Sequence, residues 1–362
     1  MLRVKKGYAI YYFCFDIGDE VRLDQAERLA GAKLAEEVSE ERLKPAYMHY
    51  RAPPLYLALK DQAARIGSRK LAIRRDAKLY AFGALTIRYW LPISGTLAAV
   101  GRQAAAFERA VPLKKLALAE AKRIAGELAP AIADPVPVPA PAEYVLFAVK
   151  SFSPAGPADG LPQKHWKEIG RLLKREDVLS FQELAEAKEG FSYYPDELVV
   201  VDWGAALVVD PRGSYDVLDV LEYAVLELLE LRTYDEKLEA ILDKAYEDVG
   251  RRRLLRWRSG RMLNELLRAQ ADVADIVSKV ENALKPIGDQ YLAKVYRAAS
   301  REFGLDQWKH GVQHKLSALK DIYLSLAEHM EAQRAMALEL LMLALFLGEI
   351  VLLAAWGASE LA

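Results

Sequence analysis

Few residues in this 362-residue chain are spaced for chemistry. Of its five histidines, His310 and His314 stand one helical turn apart. That spacing presents two imidazoles to one ion. No HExxH context surrounds them and no nearby carboxylate completes a ligand set, so solvated helix residues are the plainer reading. Asp202 and Asp210 flank an apolar run and would either bind a metal or end a strand and cap its turn. No Gly-rich phosphate loop, GxSxG elbow or CxxC pair occurs. No catalytic residue, metal ligand or cofactor-binding residue is therefore assigned. No cofactor is expected, and the chain is not expected to be an enzyme.

The remaining charges of interest sit where apolar residues belong. Tyr215 to Val249 reads as one helix roughly 50 Å long at 1.5 Å per residue. Its seam is Leu221, Ala224, Leu228, Leu231, Asp235, Leu238 and Leu242. Asp235 occupies a seam position and Arg232 lies one turn before it. A buried charge needs a partner, so Arg232 and Asp235, with Glu281 from the next helix, are expected to fix register. A proton or ion pathway is the sharper alternative. Arg251, Arg252, Arg253, Arg256, Trp257, Arg258 and Arg261 form the one dense basic patch. It reads as a solvated turn, or as a contact for anionic lipid or an RNA backbone.

These residues depend on a simple order of elements. Ala9–Phe15, Lys78–Leu91, Tyr144–Val149 and Glu197–Val209 are rich in aromatic and β-branched residues and read as strands. Leu23–Glu37, Thr96–Phe107, Leu113–Leu128 and His165–Lys174 read as helices. Strands and helices mix without regular βαβ spacing, which predicts an α+β head with a mixed or mainly antiparallel sheet. The head covers residues 1–213, as two related halves joined by a proline-rich linker at 133–142. A stalk of three antiparallel coiled-coil helices follows at 214–339. Residues 340–362 form a hydrophobic C-terminal helix.

Leu340–Ala358 carries one charge, Glu349, and is long enough to cross a hydrocarbon core. Ala344 and Gly348 would let two such tails approach closely. Glu339 and Glu349 favour the other reading, a core helix or an oligomer seam. Composition adds little: the net charge is −1, and the single Cys14 excludes an internal disulfide.

The stretches ELVVVDWGAALVVDP, VLELLELRTYDEKLEAILDKAYEDV and VENALKPIGDQYLAKVYRAA, with the apolar tail, resemble the Rmd1/Sif2/RMND1 family, the DUF155 proteins. The likeness is greatest to an uncharacterised bacterial branch. It implies an α+β head, long helices and a hydrophobic end. It also implies a role at membranes, with RNA or the ribosome as a partner by analogy, and carries over no catalytic residue. The leading expectation is a single-pass, membrane-anchored, non-catalytic scaffold with a cytoplasmic head. Its partners would be the lipid bilayer, an unidentified protein and further copies of itself. The alternatives are a CorA-like ion-transport role, or a soluble oligomer that buries its C-terminal helix.

Overall fold

The structure is a computed structural model and describes residues 2–31, 37–38, 53–66, 69–187, 189–213, 216–250 and 289–360. It is α+β. In chain order the elements begin with β1 (Arg3–Asp16), β2 (Glu20–Val21), α1 (Leu23–Leu29), β3 (Glu37–Val38), β4 (Leu55–Ile66), β5 (Arg69–Leu79) and β6 (Ala84–Thr96). Next come α2 (Leu97–Ala110), α3 (Leu113–Leu128), β7 (Ile132–Ala133), β8 (Ala142–Ser153), α4 (Leu161–Lys174) and α5 (Phe181–Glu186). Then follow β9 (Gly190–Phe191), β10 (Leu198–Val201), β11 (Ala205–Val209), α6 (Asp216–Gly250), α7 (Gln290–Glu302) and α8 (Leu305–Glu360).

Nine strands form one sheet in the order β3-β4-β5-β6-β1-β8-β11-β10-β9. Its pairs are antiparallel except β8 with β11. The central strand β1 pairs with β6 on one side and β8 on the other. From Ala9 to Phe15 it runs apolar on both faces and is buried, as a central strand covered on both sides must be, while Arg3, Lys5 and Lys6 at its start are exposed.

The alternation of the strands divides these side chains between two layers. Tyr11, Phe13, Ile87 and Tyr89 face α2 and α3 in the main apolar core. The Tyr11 hydroxyl donates to the Ala104 carbonyl of α2 at 3.2 Å, and its ring meets Phe107 with centroids 5.3 Å apart. Thr96 starts α2 by accepting the Ala99 N–H at 3.2 Å, so strand β6 turns directly into a helix lying back on the sheet. The opposite face carries Tyr12, Cys14, Asp76, Lys78, Thr86 and Arg88, and α6 packs on it.

Two segments that read as single strands are hairpins. Lys78–Leu91 divides between β5 and β6 because Tyr80 to Gly83 make a tight turn. The Tyr80 N–H bonds the Ala84 carbonyl at 2.9 Å, and Gly83 holds φ of +93°. Glu197–Val209 divides between β10 and β11, with the Asp202 N–H bonded to the Ala205 carbonyl at 2.9 Å.

The chain forms two compact units. One comprises Met1–Thr233 with Ile276–Lys309 and holds the sheet, α2 to α5, the first turns of α6, and α7. The other comprises Tyr234–Asp275 with His310–Ala362 and is helical in its described part. Within it, Leu238 of α6 and Val312 and Leu319 of α8 are buried.

The membrane-anchor expectation is corrected here. Among the described residues, no helix is long and apolar enough to cross a membrane. Residues 340–348 give nine uncharged positions between the carboxylates of Glu339 and Glu349. A span needs about 20 apolar residues, and a carboxylate in hydrocarbon is costly. The single-pass placement with a cytoplasmic head, the lipid bilayer as partner and the anchored-scaffold reading lose their basis. The arginine-rich segment, Arg251, Arg252, Arg253, Arg256, Trp257, Arg258 and Arg261, lies outside the described residues, as does Glu281. Its assignment to a membrane surface rested on the same anchor.

Candidate functional site

The most unusual chemistry in the molecule is an ion network closed between the sheet and α6. Strand β5 supplies Asp76 and Lys78, and β6 supplies Arg88, aligned across from Asp76. Helix α6 supplies Asp219 and Glu222, three residues apart and therefore on one face. Lys78 Nζ donates to Asp219 at 2.5 Å and to Glu222 at 2.8 Å. Arg88 Nε donates to Asp76 at 2.5 Å, and Arg88 Nη1 reaches Glu222 at 3.4 Å. Lys78 and Arg88 are fully enclosed.

A second ring of groups holds these charges. The Tyr80 hydroxyl donates to Glu222 at 2.8 Å, and Trp90 Nε1 donates to Asp76 at 2.8 Å. Arg74 bonds Asp76 at 3.2 Å from a half-exposed position and lies 4.4 Å over the Trp90 ring. The Tyr56 ring sits 5.0 Å from the Lys78 ammonium. Asp76, Asp219 and Glu222 thus face Arg74, Lys78 and Arg88, so the formal charges cancel. Among the described residues, the Tyr12 hydroxyl and Arg88 Nη2 are buried without a hydrogen-bond partner.

The electrostatics make this a lock and argue against an acid–base centre. Burial pulls the Lys78 ammonium down, but Asp219 and Glu222 outweigh it and hold it above the ordinary lysine value. Lys78 stays protonated and cannot serve as a base. Arg88 is likewise raised, with Asp76 and Glu222 overcoming burial. Burial, reinforced by Glu222, raises the Asp219 carboxyl, while Lys78 opposes the shift. Burial also pushes the Cys14 thiol well up, so Cys14 is inert despite its contact with Thr86 at 3.6 Å. The arrangement ties α6 to β5 and β6, because turning or sliding the helix would separate Asp219 and Glu222 from Lys78 and Arg88 and leave buried charges unpaired.

The residues singled out in the sequence fall elsewhere. Arg232 places its guanidinium between two indoles, 5.4 Å from the Trp203 centroid and 5.5 Å from that of Trp308. Asp235 accepts from Lys315 of α8 at 2.9 Å, and Glu239 shares the same ammonium. Arg232 and Asp235 therefore have different partners. Asp202 takes the Trp203 N–H at 2.9 Å and Lys174 at 3.0 Å, whereas Asp210 takes the N–H groups of Arg212 and Gly213 at 2.9 and 3.0 Å. Both carboxylates finish strands. Among the described residues, no group of three or more His, Cys, Asp or Glu could hold a metal ion. Glu349 is exposed on α8, as are Ala344 and Gly348.

Sequence reasoning missed the ion network. Its trace was present in two patterns. β5 reads Arg74, Asp76, Lys78 at period two, and α6 opens with acids at Asp216, Asp219 and Glu222 at period three.

A sheet with helices on one face and a charge-locked long helix on the other defines a class of α+β protein. The chain belongs to the family described as Uncharacterized protein MJ0711, N-terminal domain, whose model matches residues 6–216. It is similar to the Uncharacterized protein MJ0711 of Methanocaldococcus jannaschii, at 22% identity over 216 residues. That match takes in 58% of this chain and 65% of the relative's length. No solved structure matches the chain. The family match contains the strands that supply Asp76, Lys78 and Arg88, and it ends at the first residue of α6.

Proposed function

We propose that this protein is a non-catalytic assembly protein that associates with copies of itself by burying its C-terminal helix. The observation carrying this reading is the surface of α8. Met336, Leu338, Leu340, Leu341, Met342, Leu343, Leu345, Phe346, Leu347 and Ile350 are each between 49% and 67% exposed. Successive helical residues are rotated by about 100°, so residues 340–348, between Glu339 and Glu349, are apolar on every side. Helices with no polar face are buried ones.

A second copy is the occupant favoured by area. The ten side chains offer on the order of 100 Å² each, or ~1,000 Å² per copy, which exceeds the ~800 Å² per partner of a standard interface. Two helices meeting along one seam would leave the remaining sides wet, so an assembly of more than two copies suits the surface better. Ala344 and Gly348 supply close-approach positions within it. Kinship with the Rmd1/Sif2/RMND1 proteins is part of this proposal. It rests on the order of an α+β head, long helices and an apolar end.

The test is sedimentation equilibrium of the full chain beside Leu343→Glu/Phe346→Glu. The expected result is a mass above two chains for the parent and a shift to monomer for the double variant. A monomeric parent, or a variant with the parent's mass, would refute the assignment.

A further inference from the structure

A groove of about 350 Å³ lies between α2 and α4, on the side of the sheet away from the ion network. Its floor includes Ala98, Gly101 and Ala105 of α2, which are small residues on one helix face. Its walls include Arg102 and Arg109 of α2 and Arg171 of α4, followed by Arg175 at the end of α4. Gly101 brings the two helices close together, because a Cβ there would stand 3.6 Å from the Leu172 Cα.

The four arginines are not equally engaged. Arg175 is satisfied: its Nε meets Glu108 at 2.9 Å and its Nη1 bonds the Leu173 carbonyl at 3.1 Å. Arg171 Nε is buried with no hydrogen-bond partner among the described residues. Arg171 is part-buried, and an unmet donor on it has a hydrogen bond to gain from a ligand in the groove. Arg102 and Arg109 are exposed. They stand seven residues apart on α2, about 10 Å along the axis. Glu176 and Asp177 line the same groove, are exposed, and offset part of the charge.

We propose that this groove binds a ligand bearing two or more linked phosphate groups. The spacing carries the choice. A single phosphate would meet Arg171 and one of the α2 arginines, whereas a chain of phosphates spans from Arg102 to Arg109 along a floor without side-chain bulk. Guanidinium forks suit phosphate oxygens, and the volume falls at the small end of ligand sites. The groove lies within one compact unit and involves no residue of α8, so it stands independently of the assembly reading.

The experiment is calorimetric titration of the full chain with inorganic phosphate, tripolyphosphate and a nucleoside triphosphate. Arg102→Ala/Arg109→Ala and Arg171→Gln are titrated alongside. Saturable tripolyphosphate binding at least tenfold tighter than phosphate is expected, with at least a tenfold loss in the double variant and again in Arg171→Gln. A nucleotide binding tighter than tripolyphosphate would identify a nucleotide as the source, and equal affinity an inorganic polyphosphate. The surface variant Arg102→Ala/Arg109→Ala should melt like the parent, so its loss cannot be ascribed to unfolding. No saturable binding, or binding unchanged in the double variant, overturns the proposal.

Discussion

Replacing Lys78 with Met keeps most of the length of the side chain, one atom short, and removes its charge. The ammonium makes two charge-assisted hydrogen bonds, to Asp219 and Glu222, inside a fully enclosed site. Bonds of that kind contribute ~1.5–3 kcal/mol each, which sets a first figure of ~3–6 kcal/mol. Burial and Glu222 raise the Asp219 carboxyl while Lys78 opposes them, so removing the ammonium raises it further and proton uptake can absorb part of the loss. Glu222 keeps Arg88 and Tyr80. The expected destabilisation is therefore ~3–5 kcal/mol, the usual cost of stranding one side of a buried pair. Against a total stability of ~5–15 kcal/mol this is a large fraction. The assay is urea denaturation at neutral pH, followed by far-ultraviolet dichroism and by tryptophan fluorescence, since Trp90 is bonded into the network. Arg74→Met is the control, because Arg74 is half exposed and should cost no more than ~1 kcal/mol. Equal, small losses in the two variants would show that α6 is held by its apolar contacts and that the ion network is incidental.

Three further outcomes follow from the same geometry. Gly83→Ala would put a Cβ 1.6 Å from the Gly18 carbonyl oxygen at a φ of +93°; it should cost on the order of 3 kcal/mol or more, and an unchanged denaturation midpoint would show that the β5–β6 turn relaxes freely. Arg232→Ala removes a cation from between two indoles, one of them half exposed, and should cost ~1–2 kcal/mol by denaturation; a loss no larger than that of an exposed arginine elsewhere on the chain would dismiss the stacking. Burial lowers the Lys78 value but Asp219 and Glu222 raise it by more, to above its ordinary 10.5. The stability Lys78 supplies is then complete below that value and is lost as pH rises through the folded one, so the gap between parent and Lys78→Met should narrow in strongly alkaline buffer; a constant gap from about pH 9 to about pH 12 contradicts this.

The parts of the fold legible in the sequence are those where one local signal decides. Ala9–Phe15 is aromatic, apolar on both faces and framed by Gly7 and Gly18, and it lies within the central strand β1. The long helix reads from Tyr215 to Val249 and is observed from Asp216 to Gly250, because nothing within it opposes helical periodicity. Turns were harder. Tyr80–Ala81–Phe82–Gly83 carries two aromatic rings where a turn usually carries polar residues, so β5 and β6 merge on paper. In the fold the rings have a reason to be there: Phe82 meets Tyr80 at 5.2 Å and Tyr223 of α6 at 5.9 Å between centroids. The apolar tail misled for a related reason. Leu340–Ala358 counts as one long apolar run only if Glu349 is passed over, and between Glu339 and Glu349 the uncharged stretch is residues 340–348, too short to span.

The ion network was illegible because each half has an ordinary explanation by itself. Arg74, Asp76 and Lys78 alternate along β5 as on any strand with one wet face. Asp216, Asp219 and Glu222 lie in the opening turns of a helix, where acids are common for electrostatic reasons. Only the pairing of β5 with β6, and the return of the chain more than 130 residues later to lay α6 across that face, bring the two sets together. A polar strand face and a helix with a polar stripe of opposite charge have two stable outcomes. They can both face water, or they can face each other. Facing each other costs desolvation and is tolerated only when every charge finds a partner. Here Lys78, Arg88, Asp76, Asp219 and Glu222 all do. The closure is not total, since Arg88 Nη2 and the Tyr12 hydroxyl stay buried without a hydrogen-bond partner among the described residues, but each of the five charges has an opposite charge to meet, and that pairing is what lets two polar faces close on each other.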